Sequence, residues 1–182
     1  MDQGPALILK TLDGFMTGPG VVRLFGGAAF ILGYGRDRTT EDADLLLDDR
    51  ECLALVEGAG FAEAVEATNR VLEPRGLYLA HVFGPEQQVL APGWRPRCRP
   101  LSIDGLSRLR VEVLAPEDLA LTKLGRFDAA DEDDVRFLLE SRQLDPARWR
   151  HSIDEAIVPP EYRNLFEEAR PRAIALATAF GG

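Results

Sequence analysis

The chain has 182 residues and a mass of 20.0 kDa, with 46% apolar and 28% charged side chains. That length suits one well-buried domain, and the composition has neither the apolar excess of a membrane protein nor the charge excess of a disordered chain. Thirty acidic against 21 basic residues give a formal net charge of -9, so nucleic acid or an anionic membrane must be captured by a local patch.

The apolar runs are too short for a membrane helix, which needs roughly 18 to 20 residues, and the N-terminus lacks a signal-peptide pattern. We therefore expect a single domain over 1–182, located in the cytoplasm, with no membrane partner.

The first elements in chain order are a helix, a strand, a glycine turn and a second helix. Apolar residues at helical spacing from Ala6 to Met16 predict the leading helix, which Thr17–Gly20 ends. Val21–Phe25 predicts a short strand that stops at Gly26-Gly27, and Ala28–Leu32 predicts the helix that follows.

The middle of the sequence predicts three more strands, one helix and a long irregular loop. Ala43–Leu47 predicts a strand, and the chain from Asp49 to about Gly58 predicts a helix. Gly76–Phe83 and Leu109–Leu114 have strand character, and the loop Pro85–Pro100 separates them.

The C-terminal third predicts only helices. Their periodic segments are Pro116–Arg126, Asp131–Ser141, Pro146–Ala156 and Pro160–Phe180. The whole pattern predicts an α+β fold, with a small mixed sheet flanked by helices. A core over about 20–115 precedes a helical part over about 116–182, and no linker separates the two.

Two aspartates at the start of the second strand are the most informative pair of residues. Asp42 and Asp44 are two positions apart, so a strand sends both carboxylates to one face. They repel each other unless both stay in solvent, one is protonated, or divalent cations neutralise them. The last alternative predicts a metal site, whereas the structural alternative is a solvated strand end that discourages edge pairing.

The glycine pair lies between a strand and a helix. Without side chains at Gly26 and Gly27, a phosphate can approach the backbone amides, and the helix N-terminus adds positive potential. Taken alone, the pair is better explained as a tight turn. On neighbouring strands, the turn and the acidic pair would together hold a nucleoside triphosphate with its magnesium ions.

The segment LFGGAAFILGYGRDRTTEDADLLL resembles the signature of the DNA polymerase beta-like nucleotidyltransferase superfamily. Its features are an apolar residue before Gly-Gly, a helix, and two acidic residues that flank an apolar one. The run from Arg38 through Thr40 to Asp44 is also similar to the arginine-x-threonine-x-aspartate-x-aspartate form of bacterial nucleotidyltransferase-like proteins. That branch includes abortive-infection toxins of toxin–antitoxin systems.

The similarity continues in a helical segment where Lys123 precedes Asp131 and Asp134, and in a loop with Trp94 and Arg97. It implies a nucleotidyltransferase fold with catalytic, metal-binding aspartates at 42 and 44. The nucleotide-binding residues that it implies are Gly26, Gly27, Arg38, Thr40 and Lys123. As structural alternatives, Lys123 pairs with Asp118 or Asp131 on the surface, and the aspartates from 131 to 134 suit a helix dipole.

A third carboxylate usually stands on a nearby strand in an active enzyme of this superfamily. Glu112 is the candidate, because it interrupts Val111 and Val113 on a predicted strand. It would bind metal or deprotonate the attacking hydroxyl. The alternatives are an acid elsewhere after Asp104, or no third acid, in which case the protein binds nucleotide without turnover. A solvent-facing strand residue is the structural explanation.

The resulting hypothesis is a magnesium-dependent enzyme that moves a nucleoside monophosphate from a triphosphate to a hydroxyl of RNA, protein or a small molecule. The expected cofactor is two magnesium ions, or manganese in their place. The net charge favours a protein or small-molecule acceptor over bulk RNA, and the resemblance adds tRNA and a cognate antitoxin as partners. The alternative is a catalytically inactive protein that keeps the fold and binds a partner.

Overall fold

The computed structural model describes residues 4–181, apart from the side chains of Ala80 and His81. Over these residues the chain forms an α+β structure with a helical C-terminal part, which confirms the predicted fold class. The elements are α1 (Gly4–Phe15), β1 (Gly20–Phe25), α2 (Gly26–Tyr34), β2 (Asp42–Leu46), α3 (Asp49–Ala59), α4 (Phe61–Leu72), β3 (Tyr78–Phe83), β4 (Arg99–Leu101), β5 (Leu109–Val113), α5 (Pro116–Thr122), α6 (Ala129–Glu140), α7 (Pro146–Asp154) and α8 (Arg163–Phe180).

The described residues divide into two compact units. The first contains residues 4–84 and 99–113, and the second contains residues 85–98 and 114–181. The helical part thus begins close to the expected position, and most of the predicted loop belongs with the helices. Whether the chain folds as a single domain stays a prediction.

A mixed five-stranded sheet organises the first unit, with strand order β3-β2-β1-β5-β4. The central strand β1 is antiparallel to β2 and parallel to β5, while β3 runs parallel to β2 and β4 antiparallel to β5. In this register Phe25 is opposite Asp44, and Arg23 is opposite Glu112.

The two faces of the sheet have different chemistry. Val22 and Leu24 alternate with Arg23 and Phe25 along β1, so they point to the opposite face. The apolar face packs against helices: a Cβ added at Gly33 of α2 would lie 2.8 Å from a methyl group of Val113. The other face, here called the polar face, carries Arg23, Asp42, Asp44 and Glu112.

Two elements of the first unit, α4 and β4, were not predicted from the sequence. α4 forms over residues 61–72, where Phe61, Ala64, Thr68 and Leu72 are buried at helical spacing. β4 is a three-residue edge strand at the end of the predicted loop, and it contains a proline. Its strand conformation depends on pairing with β5, which a local sequence pattern does not reveal.

The second unit packs its helices around the fully buried indole of Trp149. Asp118 of α5 holds residues 85–98 through its fully buried carboxylate. This carboxylate accepts hydrogen bonds from Nε of Arg97 at 2.9 Å and from Nη2 of Arg97 at 2.7 Å. A bidentate guanidinium compensates a carboxylate that water does not reach. None of the helices formed by residues 4–181 combines the length and apolar character that crossing a bilayer requires.

Candidate functional site

The glycine turn and the acidic pair lie side by side in the first unit. β1 ends at Phe25, the partner of Asp44, and α2 begins at the next residue, Gly26. Gly26 has φ +62°, in the left-handed region, and a Cβ added there would lie 2.6 Å from Oδ2 of Asp44. Only glycine both adopts this conformation without strain and leaves room for the carboxylate.

The second glycine of the turn lies against the residues before Asp42. A Cβ added at Gly27 would come within 3.0 Å of the hydroxyl oxygen of Thr40. That hydroxyl donates a hydrogen bond of 2.6 Å to Oδ1 of Asp42. Thr40 therefore orients one of the two carboxylates, and the lack of a side chain at Gly27 lets it stand close to the turn.

Both carboxylates remain partly accessible on the polar face. Asp42 and Asp44 are half-buried and alternate with the fully buried Ala43, as expected for two residues on the same side of a strand. The N-cap residue of α2 is Phe25, which has no side-chain oxygen to accept from the first-turn amides. Uncapped amides at a helix N-terminus favour an anion such as phosphate.

The donor set fits a hard divalent cation that arrives with its substrate. Asp42 and Asp44 offer carboxylate oxygens, which are ligands that magnesium prefers. Among the side chains that the structure describes, no three His, Cys, Asp or Glu residues gather into one metal-binding group. Two protein carboxylates with substrate phosphates and water completing the coordination is a usual arrangement for magnesium.

Glu112 lies on the polar face but is engaged by an arginine. Its Oε2 is 2.9 Å from Nε of Arg23, which is only 8% exposed. Strand spacing and rise place the Cα atoms of Glu112 and Asp44 roughly 12 Å apart, because the residues stand two strands and two positions from each other. The structure therefore does not bring Glu112 into one cluster with the acidic pair, and its catalytic role stays a prediction.

Arg23 joins three elements of the first unit. Besides Glu112 on β5, it contacts Glu51 on α3, with Nη1 and Oε1 2.5 Å apart. Oε2 of Glu51 accepts from the backbone amide of Asp48, which completes a capping box at the start of α3. These ion pairs of Arg23 were not predicted from the sequence, although a single charged residue within the apolar strand GVVRLF was a usable signal.

A groove continues the polar face away from the glycine turn. It has a volume of about 410 Å³, and Arg23, Glu51, Arg110 and Glu112 are among its lining residues. Any ligand that extends from the acidic pair along β1 would meet both positive and negative charges here.

The two remaining predicted nucleotide contacts are Arg38 and Lys123. Arg38 is exposed on the connection between α2 and β2, two residues before Thr40. Lys123 belongs to the second unit, where its Nζ is 3.0 Å from Oδ1 of Asp131 and 2.8 Å from Oδ2 of Asp134. The described contacts of Lys123 are therefore with carboxylates of its own unit, and nucleotide binding by either residue stays a prediction.

The carboxylate of Asp131 is almost completely buried and has a second cationic partner. Arg126 donates to it from Nε at 2.8 Å and from Nη2 at 3.0 Å. Burial acts to raise the pKa of Asp131, but the hydrogen bonds from Arg126 and the charge of Lys123 outweigh burial and hold the pKa below its ordinary value. Lys123, Arg126, Asp131 and Asp134, here called the lysine cluster, thus form a network in which cations neutralise buried carboxylates, as expected of charges that stabilise a fold.

A glycine turn that opens onto two half-buried aspartates of the next strand is the arrangement expected of a nucleotidyltransferase. Residues 19–158 match the model of one particular family, described as a nucleotidyltransferase of unknown function (DUF6036). Because the match covers most of the chain, the protein belongs to this family of nucleotidyltransferases. Searches of curated proteins and of solved structures found no match.

The family match confirms the superfamily that the sequence resembles. It spans the glycine turn, both aspartates of β2, Glu112 and Lys123. Nucleotidyltransferases use nucleoside triphosphates and generally require divalent metal ions. The family description supports a nucleotidyltransferase in general, while the metal, the acceptor and the biological partner belong to the proposal that follows.

Proposed function

We propose that the protein transfers a nucleoside monophosphate from a nucleoside triphosphate to a hydroxyl group, with magnesium held between the triphosphate and Asp42 and Asp44. The contact that carries this proposal is the approach of Asp44 to Gly26, where a Cβ would come within 2.6 Å of the carboxylate. It supports the proposal because phosphates placed on the glycine turn would lie beside oxygen ligands for their metal ions.

Each residue of the site has a role that follows from its position. The first-turn amides of α2, at Gly26 and Gly27, bind phosphate oxygens. Thr40 keeps Asp42 in one orientation through its hydrogen bond. Two magnesium ions, or manganese, would neutralise the two carboxylates and polarise the α-phosphate when bound. Arg38, two residues before Thr40, is the further candidate for contact with the triphosphate.

The transfer itself is a displacement at the α-phosphorus. The acceptor oxygen forms a bond to this phosphorus while the bond to the departing pyrophosphate breaks, and the acceptor hydroxyl gives its proton to a carboxylate. Glu112 is the candidate for this base, and its ion pair with Arg23 fixes its position on the polar face. Lys123 is a further candidate for contact with the nucleotide or the acceptor.

The acceptor and the partners are further parts of the proposal. RNA such as tRNA, a protein and a small molecule all offer hydroxyl groups. A formal net charge of -9 repels bulk RNA and favours the other two. The resemblance to abortive-infection toxins supports a role in a toxin–antitoxin pair with a cognate antitoxin.

A thermal shift experiment tests the binding site. Magnesium with the correct nucleoside triphosphate at about 100 times its Kd should stabilise the protein by roughly 2.7 kcal/mol, and so raise Tm by about 5–10 °C. The double substitution Asp42→Asn with Asp44→Asn should remove this shift. The matched control, Asp37→Asn with Asp49→Asn, removes two exposed charges nearby and should keep it. No shift with any of the four triphosphates would contradict the proposal.

The second candidate is a protein that binds nucleotide without transferring it. The observation that favours it is the engagement of Glu112 by Arg23, together with the absence of a three-acid cluster among the described side chains. Incubation of a cell extract with triphosphates labelled at the α-phosphate distinguishes the two. Label transferred by the native chain and not by the double aspartate variant supports the enzyme. A nucleotide-induced shift without labelling supports the inactive protein.

A further inference from the structure

An open cavity of about 620 Å³ lies where β2 and β3 begin. This volume falls within the range of roughly 300–1,000 Å³ that is typical of small-molecule sites. The residues that line it, all in the first unit, are Glu41, Glu66, Asn69, Arg70, Glu73, Gly76, Leu77 and Tyr78. None of them was singled out from the sequence.

The cavity adjoins the acidic pair through Tyr78. This residue pairs with Asp42 in the parallel register of β2 and β3, and its backbone amide donates to the carbonyl of Glu41 at 3.0 Å. Paired residues of neighbouring strands project to the same face, with Cα atoms about 5 Å apart. The side chain of Tyr78 is 43% exposed, so it presents an aromatic surface next to a proposed metal ligand.

The charges around the cavity select against phosphate. Its described lining residues include three carboxylates, from Glu41, Glu66 and Glu73, and one guanidinium, from Arg70. Three negative charges and one positive charge leave a formal charge of -2. The guanidinium is already paired, because Nη2 of Arg70 lies 2.5 Å from Oε1 of Glu66. No unpaired cation of the described lining remains to receive a phosphate.

The amide side chain of Asn69 in the cavity is already hydrogen-bonded to the backbone. Asn69 accepts from the backbone amide of Leu79 at 2.7 Å and donates to the carbonyl of the same residue at 3.2 Å. It therefore occupies the outer edge of β3 as a further strand would. What the cavity offers a ligand is the aromatic ring, the side chain of Leu77 and the carboxylates.

We propose that this cavity is the acceptor site and that the acceptor is a small organic cation bearing hydroxyl groups. The inference rests on the proposed function, since it supplies the second substrate of that reaction. The carboxylates attract the cation, and the face of Tyr78 attracts it further. The two substrates are thereby sorted by charge, with the triphosphate at the glycine turn and the cation in the cavity beside Asp42.

Three related sugars test the proposal without any need for turnover. Glucosamine carries an ammonium group, glucose is its neutral counterpart, and glucose 6-phosphate is an anion. Saturation-transfer NMR on the full chain should show glucosamine binding about tenfold more tightly than glucose, and no binding of the phosphate. Equal binding of glucosamine and glucose, or tighter binding of the phosphate, would overturn the proposal.

Charge-removing variants test the location of the site. Glu41→Gln with Glu73→Gln should weaken glucosamine binding about five- to tenfold, because each removes an exposed charge of the cavity lining that is not paired with Arg70. The matched control is Glu57→Gln with Glu63→Gln, which removes two exposed glutamates that line a different cavity of the same unit. Unchanged binding in the first variant, or equal weakening in the control, counts against the site.

The same experiment separates this inference from the proposed function. Asp42→Asn with Asp44→Asn should lose the nucleotide-induced thermal shift and still bind glucosamine. Glu41→Gln with Glu73→Gln should keep the thermal shift and bind glucosamine more weakly. A normal nucleotide shift in a protein that does not distinguish the three sugars would reject the acceptor site and leave the nucleotide site in place.

Discussion

The polar face of the first unit and the lysine cluster of the second contain the same kinds of side chain in different environments. Asp42 and Asp44 are half-buried and lie beside a backbone without side chains. Asp131 and Asp134 are 2% and 1% exposed, and Lys123 lies between them. Buried carboxylates matched by cations hold a fold together, whereas accessible carboxylates beside a glycine turn can take up a metal-bound ligand.

Glu112 differs from Asp42 and Asp44 in having a described ion pair with an arginine. Glu112 faces the same side of the sheet as the aspartates, yet Arg23 holds it in an ion pair that is mostly shielded from water. Glu112 therefore shares the face and the partial exposure of the two aspartates, but its carboxylate already has a cationic partner.

Lys123→Met should give the largest loss of stability. It leaves two buried carboxylates with less compensation, and removing one partner of a buried ion pair costs about 3–5 kcal/mol. Urea unfolding measures this loss, and Lys10→Met, which changes the other lysine of the chain, is the control with a much smaller expected effect. A loss below about 1 kcal/mol, within the range of surface ion pairs, would show that the cluster is not structural.

Gly26→Ala should combine a moderate loss of stability with loss of nucleotide binding. Alanine at φ +62° is strained by roughly 1–2 kcal/mol, and its Cβ also collides with Asp44. Gly35→Ala is the matched control, since Gly35 has φ +72° and nothing within 4 Å of an added Cβ. Both variants should unfold at lower urea, but only Gly26→Ala should lose the shift with triphosphate and magnesium. Loss in both would mean that strain alone is responsible.

The pH dependence of unfolding gives the smallest and most specific effect. The pKa of Asp131 is lower in the folded protein than its ordinary value of 3.8, so the unfolded chain binds the proton more readily. The stabilisation is complete above that value and is lost as the pH falls through the lower folded pKa. Asp131→Asn should therefore show a smaller loss of stability than the native chain between pH 5 and acid, when urea midpoints are compared. Identical slopes would contradict the pairing.

The local patterns of the sequence were sufficient to locate the main elements of the site. A strand that ends at two glycines is one local signal, and two aspartates at a spacing of two are another, with 14 residues between Gly27 and Asp42. Their meeting in space follows from the antiparallel pairing of Phe25 with Asp44, which the structure shows. The helical C-terminal part was equally predictable from its apolar period and prolines.

Contacts between distant residues were not predictable in the same way. Arg23 meets Glu51 across 28 positions, and Arg97 meets Asp118 across 21. The cavity beside Asp42 depends on α4, which had no predicted element. The partners of a charge decide whether it is structural or available to a ligand, and those partners are fixed by packing rather than by spacing along the chain.

The most direct test of the account uses manganese as a paramagnetic substitute for magnesium, followed by electron paramagnetic resonance. Because Asp42 and Asp44 are proposed to supply two carboxylates and the phosphates the remaining ligands, a nucleoside triphosphate analogue with a non-cleavable α–β bond should be needed for tight manganese binding. The analogue alone chelates part of the manganese, so the free-ion signal should fall further when chain and analogue are both present than with the analogue alone, and Asp42→Asn with Asp44→Asn should remove this additional fall. Manganese bound equally well by the double variant would contradict the account.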